Sequence, residues 1–94
     1  MKDIYKFSNP SIVFKKAKSL FGHNVKIELS TRKDKKFMIY DKAQQKWIHF
    51  GQFGYEDYTK HKNEERRRQF QQRNHDWKDQ PKYSPAFLSY HLLW

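Results

Sequence analysis

The sequence predicts an α+β domain: an N-terminal helix, a three-stranded antiparallel β-meander and two C-terminal helices. Three observations carry this. Apolar residues recur at helical spacing behind an Asn-Pro start at residues 9–10. Apolar and polar residues alternate through residues 25–50. Two further cap signatures stand at Asn63 and at Ser84-Pro85.

Asn9 is placed to cap a first helix with Pro10 at its first position, where the missing N–H costs nothing. Val13, Phe14, Ala17, Leu20 and Phe21 then share one face, Lys15, Lys16 and Lys18 the other, and Gly22 supplies the stop. From Val25 the period changes to two. Val25, Ile27 and Leu29 alternate with Lys26 and Glu28, the pattern of a half-buried strand. Phe37 to Tyr40 makes a second strand. Asp41 to Gln45 is a polar turn, and Lys46 to Phe50 a third strand closed by Gly51. Asn63 caps a helix running to about Asn74, with Glu64 and Glu65 in the first turn where the helix dipole favours negative charge, and Glu64 four residues before Arg68. Asp76 to Lys82 reads as a polar linker. Ser84-Pro85 opens a last helix with Phe87, Leu88, His91, Leu92 and Trp94. The divisions are 1–24 (helix), 25–51 (meander) and 52–94 (helical half) of one domain.

Ninety-four residues allow one small core. Aromatics make up 18% of the chain and the whole apolar set only 36%, so a few large rings must supply most of the buried area. Without Cys there is no disulfide and no common structural zinc site, which suits a reducing interior. No apolar run reaches the length of a membrane span and no signal-peptide core is visible, so a soluble protein without a membrane role is expected.

Twenty basic residues against ten acidic ones leave a net charge of +10, a field that attracts polyanions. The excess is concentrated early, +8 in residues 1–50 against +2 in residues 51–94. Solubility alone is a sufficient reason for such a charge, so a nucleic acid or other acidic partner and plain solvation both stand.

The candidate binding residues fall into three groups. Arg32, Lys33, Lys35 and Lys36 sit at the connection between the first two strands, where a projecting loop can reach a phosphate backbone; Lys at a sheet edge also discourages edge pairing. Lys60, Lys62, Arg66, Arg67, Arg68 and Arg73 cluster around the Asn63 helix. Arg66, Phe70 and Arg73 share a face there, which suits a base between two guanidiniums or, alternatively, a ring docking the helix on the sheet with snorkelling Arg stems. Tyr55, Tyr58 and Trp94 are amphipathic rings of the kind enriched at protein interfaces. A terminus reading Leu92-Leu93-Trp94 is either tucked into the domain or inserted into a neighbour, so an oligomer or obligate assembly is open.

Gly51 and Gly54 read as turn positions needing positive φ, since no P-loop or dinucleotide spacing accompanies them. Five histidines (23, 49, 61, 75 and 91) have no metal-ligand spacing, Asp57, His61 and His75 could form a site only by tertiary accident, and His61 and Asn63 only caricature an H-N-H nuclease. No catalytic, cofactor or metal residues are expected, and the protein is read as non-enzymatic.

From Trp47 onward the residues form an ordered pattern: Phe50-Gly51, then Tyr55 to Lys62, then Arg67 to Arg73 with His75, then Leu92 to Trp94. This resembles a group of short basic proteins of large DNA viruses and tailed phages, marked by Phe-Gly, Tyr-Asp-Phe/Tyr-Thr-x-His-Lys, Arg-Arg-x-x-Phe/Tyr-x-x-Arg-His and Leu-Leu-Trp. About half the chain is covered. Asn74 separates Arg73 from His75, and Asn63-Glu64 replaces the usual Asp-Pro helix start; both departures alter caps. The group has no assigned activity. The resemblance implies a viral setting: a virion structural protein, minor capsid or genome-associated, with other virion or capsid proteins and DNA or RNA as partners. Its location would be the virion, and the host cell interior during assembly. The alternatives are a free nucleic-acid-binding protein of replication or packaging and, more remotely, a small nuclease.

Overall fold

The computed structural model describes residues 3–94 and has the expected α+β architecture. A 3₁₀ turn (Ile4–Lys6) precedes α1 (Pro10–Phe21). Strands β1 (Ile27–Leu29), β2 (Lys35–Asp41) and β3 (Lys46–Gln52) follow in the sheet order β1-β2-β3, all antiparallel. The helical half contains α2 (Tyr58–His61), α3 (Glu64–Arg73), a 3₁₀ segment (His75–Asp79) and α4 (Pro85–Leu88), which runs on as a π-helical segment (Ser89–Leu93).

The caps work as their chemistry dictates. Asn9 Oδ1 accepts from Ile12 N (3.4 Å), Asn63 Oδ1 from Arg66 N (3.1 Å) and Ser84 Oγ from Phe87 N (3.2 Å), each satisfying an orphan helix donor. Asp41 is buried and its Oδ1 closes the β2–β3 turn by accepting from Ala43 N and Gln44 N.

The core joins α1, the sheet and the C-terminal segment. Val13 and Ala17 of α1 meet Phe37 and Ile39 of β2, Phe50 of β3, and Leu88, Leu92 and Leu93. In the register Phe37 faces Phe50 and Ile39 faces Ile48, so antiparallel pairing sets these side chains on one face. The Phe37 and Phe50 rings lie 5.9 Å apart at 30°, and Phe14 meets Phe37 edge-on at 5.9 Å. The Leu92-Leu93 pair is therefore tucked into the chain's own core.

Several expectations need correction. β1 is only three residues long, and as the edge strand of the sheet it leaves Leu29 42% exposed. β2 starts at Lys35 rather than Phe37, since Lys35 and Lys36, expected in the loop, join the ladder. β3 extends to Gln52, so Gly51 (φ +81°) lies within a strand and not in a turn. A Cβ at that position would come within 2.7 Å of Leu93 Cδ1, so the glycine makes room for the C-terminal segment. The expected Asp76–Lys82 linker overlaps the His75–Asp79 3₁₀ turn, whose Trp77 packs edge-on against Phe70 at 5.7 Å. Glu64 pairs with Arg67 (3.8 Å) and Glu65 with Arg68 (2.6 Å); the i,i+3 partners win over the expected Glu64–Arg68 pair.

Candidate functional site

The Arg-rich helix α3 has no buried residue, so its attachment needs an explanation. Phe70, half-buried, supplies it. Its ring stacks on Trp94 with centroids 4.3 Å apart and planes 6° from parallel, and also meets Trp77 and Tyr90. His61 packs on Trp94 at 5.1 Å and Tyr58 on His61 at 6.1 Å. Phe70 thus docks α3 on the C-terminal segment and its rings, where docking on the sheet was the expectation.

Arg67 completes this cluster. Its Nε donates to the Trp94 main-chain oxygen (2.8 Å), its guanidinium lies 4.8 Å over the Tyr58 ring, and Nη1 is 3.8 Å from Glu64 Oε2. The Tyr58 hydroxyl donates to Glu64 Oε1. Of the expected partner-binding residues, Tyr58, Arg67 and Trp94 are therefore brought together, but as an internal clasp.

Lys36 is also withdrawn from the surface. Its side chain is 3% exposed, and Nζ donates to Asp57 Oδ2 (3.0 Å) and to Phe7 O (3.4 Å). Asp57, 1% exposed, accepts a second bond from Thr59 Oγ1. Thr59 Oγ1 in turn accepts from Asn9 N (3.0 Å) and from Ser8 Oγ (3.1 Å). This network sews residues 7–9 to β2 and to the start of α2, and leaves no room for a polyanion at Lys36. Burial holds the Lys36 ammonium below its usual pKa, while the Asp57 carboxylate opposes that fall.

The remaining candidates are on the surface. Lys60, Lys62, Arg66, Arg68 and Arg73 are exposed around α2 and α3; Arg68 is forked onto Glu65. Lys60, Lys62, Arg66 and Arg73 make no ion pair among the described residues. Tyr55 is 70% exposed. In the β1–β2 connection Arg32 lies 3.5 Å from Asp34, Lys33 is exposed and Lys35 half-buried.

A residue without a local sequence signal joins this region from α1. Lys16, one of three lysines assigned to a solvent face, is half-buried beside Arg67. The two line a groove of about 400 Å³ between α1, α3 and the π-helical segment, walled by Leu20, Tyr90, His91 and Trp94. Burial and the Arg67 charge lower the Lys16 pKa; the Asp57 charge acts more weakly in the opposite sense.

His61 is the other unusual group. Its Nδ1 accepts from Asn63 N (2.9 Å), so the neutral ring carries its proton on Nε2. That nitrogen is buried and has no hydrogen-bond partner among the described residues. Burial and the Arg66 charge push the His61 pKa down. Among the described residues no three His, Asp or Glu side chains gather as a metal site, and no helix is long and apolar enough to cross a membrane.

Residues 25–74, just over half of the chain, match the family of unknown function (DUF5754). That span holds the sheet, α2 and α3. No curated protein and no solved structure matches the chain.

Proposed function

The chain belongs to the family of unknown function (DUF5754), and from that premise we propose that it is a non-enzymatic, polyanion-binding structural protein of a virus particle. It acts as a minor capsid or genome-associated component. The observation that carries the reading is the set of exposed cations on α2 and α3. Lys60, Lys62, Arg66 and Arg73 lack acidic partners among the described residues, in a protein of net charge +10. Cations that make no internal pair are free to displace counterions from a phosphate backbone or to face an acidic capsid surface. Docking rests on these cations and on Tyr55, since Tyr58 and Trp94 are engaged internally. The virus setting comes from the sequence resemblance.

A second reading, a free nucleic-acid-binding protein of replication or packaging, is favoured by one feature. Leu92, Leu93 and Trp94 fill the chain's own core and aromatic clasp, so the domain needs no neighbour to complete it.

Two measurements test these readings. Purified protein should be retained on DNA or RNA at low salt, with affinity falling linearly in log–log salt plots. An Arg66→Gln/Arg68→Gln/Arg73→Gln variant should lower that slope by about one unit per lost phosphate contact. Protein that ignores nucleic acid at about 50 mM salt removes nucleic acid as the polyanion. Stoichiometric presence in purified particles supports the structural role, and absence from them leaves only the free form.

A further inference from the structure

The groove between α1, α3 and the π-helical segment has features that the surface cations do not explain. Two like charges, Lys16 and Arg67, both line it, and among the described residues no acidic side chain does. The Lys16 ammonium makes no hydrogen bond or ion pair among the described residues. Arg67 spends Nε on the Trp94 main-chain oxygen and holds Nη1 at 3.8 Å from Glu64, which leaves guanidinium donors in hand. Keeping two cations together in a partly desolvated site is unfavourable unless an anion sits between them.

The rest of the wall is not what a bare anion needs. Leu20, Tyr90, His91 and Trp94 offer apolar and aromatic surface next to the cations. Tyr90 and His91 lie on the π-helical turn Ser89–Leu93, a rare backbone form concentrated at functional sites. At about 400 Å³ the groove falls within the size range of small-ligand pockets, roughly 300–1,000 Å³.

We propose that this groove binds a nucleotide phosphate, with Lys16 and Arg67 taking the phosphate oxygens and the Tyr90–His91–Trp94 wall covering the base. The phosphate supplies the pairing anion that Lys16 lacks among the described residues and takes the guanidinium donors that Arg67 does not spend on Glu64 and Trp94, and the ring wall selects a nucleotide over an inorganic anion. Free mononucleotides and the 5′-phosphorylated end of a strand present the same chemistry. The proposal is independent of the exposed face of α2 and α3, because Arg66, Arg68 and Arg73 do not line the groove.

Calorimetric titrations of the full chain with nucleoside 5′-monophosphates, the matching nucleosides, inorganic phosphate and a 5′-phosphorylated oligonucleotide test it. The monophosphates should bind, inorganic phosphate more weakly and nucleosides not at all. Lys16→Met should weaken monophosphate binding by about tenfold or more, as expected for losing a charge-assisted contact. Its melting temperature should not fall, because the variant removes a half-buried charge, so lost binding cannot be lost folding. Arg66→Gln/Arg68→Gln/Arg73→Gln should leave mononucleotide binding intact even where it abolishes retention on long nucleic acid. A 5′-phosphorylated oligonucleotide that binds while mononucleotides do not would place the phosphate on a strand end. No heat from either phosphorylated ligand at millimolar concentration, or equal binding by wild type and Lys16→Met, overturns the proposal. Inorganic phosphate binding as tightly as the nucleotides overturns the assignment of the ring wall.

Discussion

Phe70 and Trp94 stack with their planes 6° from parallel and centroids 4.3 Å apart, and this contact holds an otherwise polar helix to the domain. The two residues are separated by the 3₁₀ segment and all of α4 with its π-helical extension. Phe70→Ala should therefore detach α3 without dissolving the sheet. The expected cost is about 2 kcal/mol, short of the roughly 3–5 kcal/mol for a fully buried ring because Phe70 is half-exposed. Denaturant titration gives the magnitude, and amide exchange should show α3 protection lost while β2 and β3 stay protected. Loss of protection throughout the sheet would mean that the clasp is integral to the core.

The Lys36–Asp57 pair lies almost wholly out of solvent and bridges the N-terminal segment, β2 and α2. Lys36→Met leaves an unpaired buried carboxylate and should cost roughly 3–5 kcal/mol. Lys36→Met combined with Asp57→Asn should recover part of that loss, because the stranded charge is gone. A double-mutant cycle from urea melts measures the coupling. Additive effects would show that the two groups are solvated independently.

His61 gives stability a pH dependence with a definite sign. Its pKa in the folded chain lies below the ordinary value of 6.5, lowered by burial and by Arg66 and Lys36, against the pull of Glu56 and Asp57. Between the folded and unfolded values the unfolded chain binds more protons. Stability is thus lost as pH falls through that window, and the loss is complete below the folded value. Protonation also breaks the Asn63 N–H···Nδ1 bond. Between about pH 7.5 and pH 5, wild type should lose stability faster than His61→Gln, whose side chain does not titrate. Parallel urea-midpoint curves for the two proteins would refute this role.

Local chemistry was legible wherever a residue's partner lies within a few positions. The caps at Asn9, Asn63 and Ser84 and the Asp41 turn all follow from spacing. The errors fall where a distant element intervenes. Lys36 reads as a loop cation until Asp57, Phe7 and the residues 7–9 segment close over it. Leu29 reads as a core residue until the sheet leaves it on an uncovered edge. Lys16 reads as solvated like Lys15 and Lys18 until α3 brings Arg67 beside it. Of the expected binding residues, Tyr58, Arg67 and Trp94 are spent on an internal aromatic clasp and Lys36 on a buried network.

The sequence by itself determined the α+β class, the element order and the strongly positive charge, because period, caps and composition act within a few residues of one another. Only the tertiary structure decided which cations face water, which are neutralised inside and which are left paired with each other over a groove. The solvation and partners of a charge depend on elements that arrive from elsewhere in the chain, and no local spacing records their arrival.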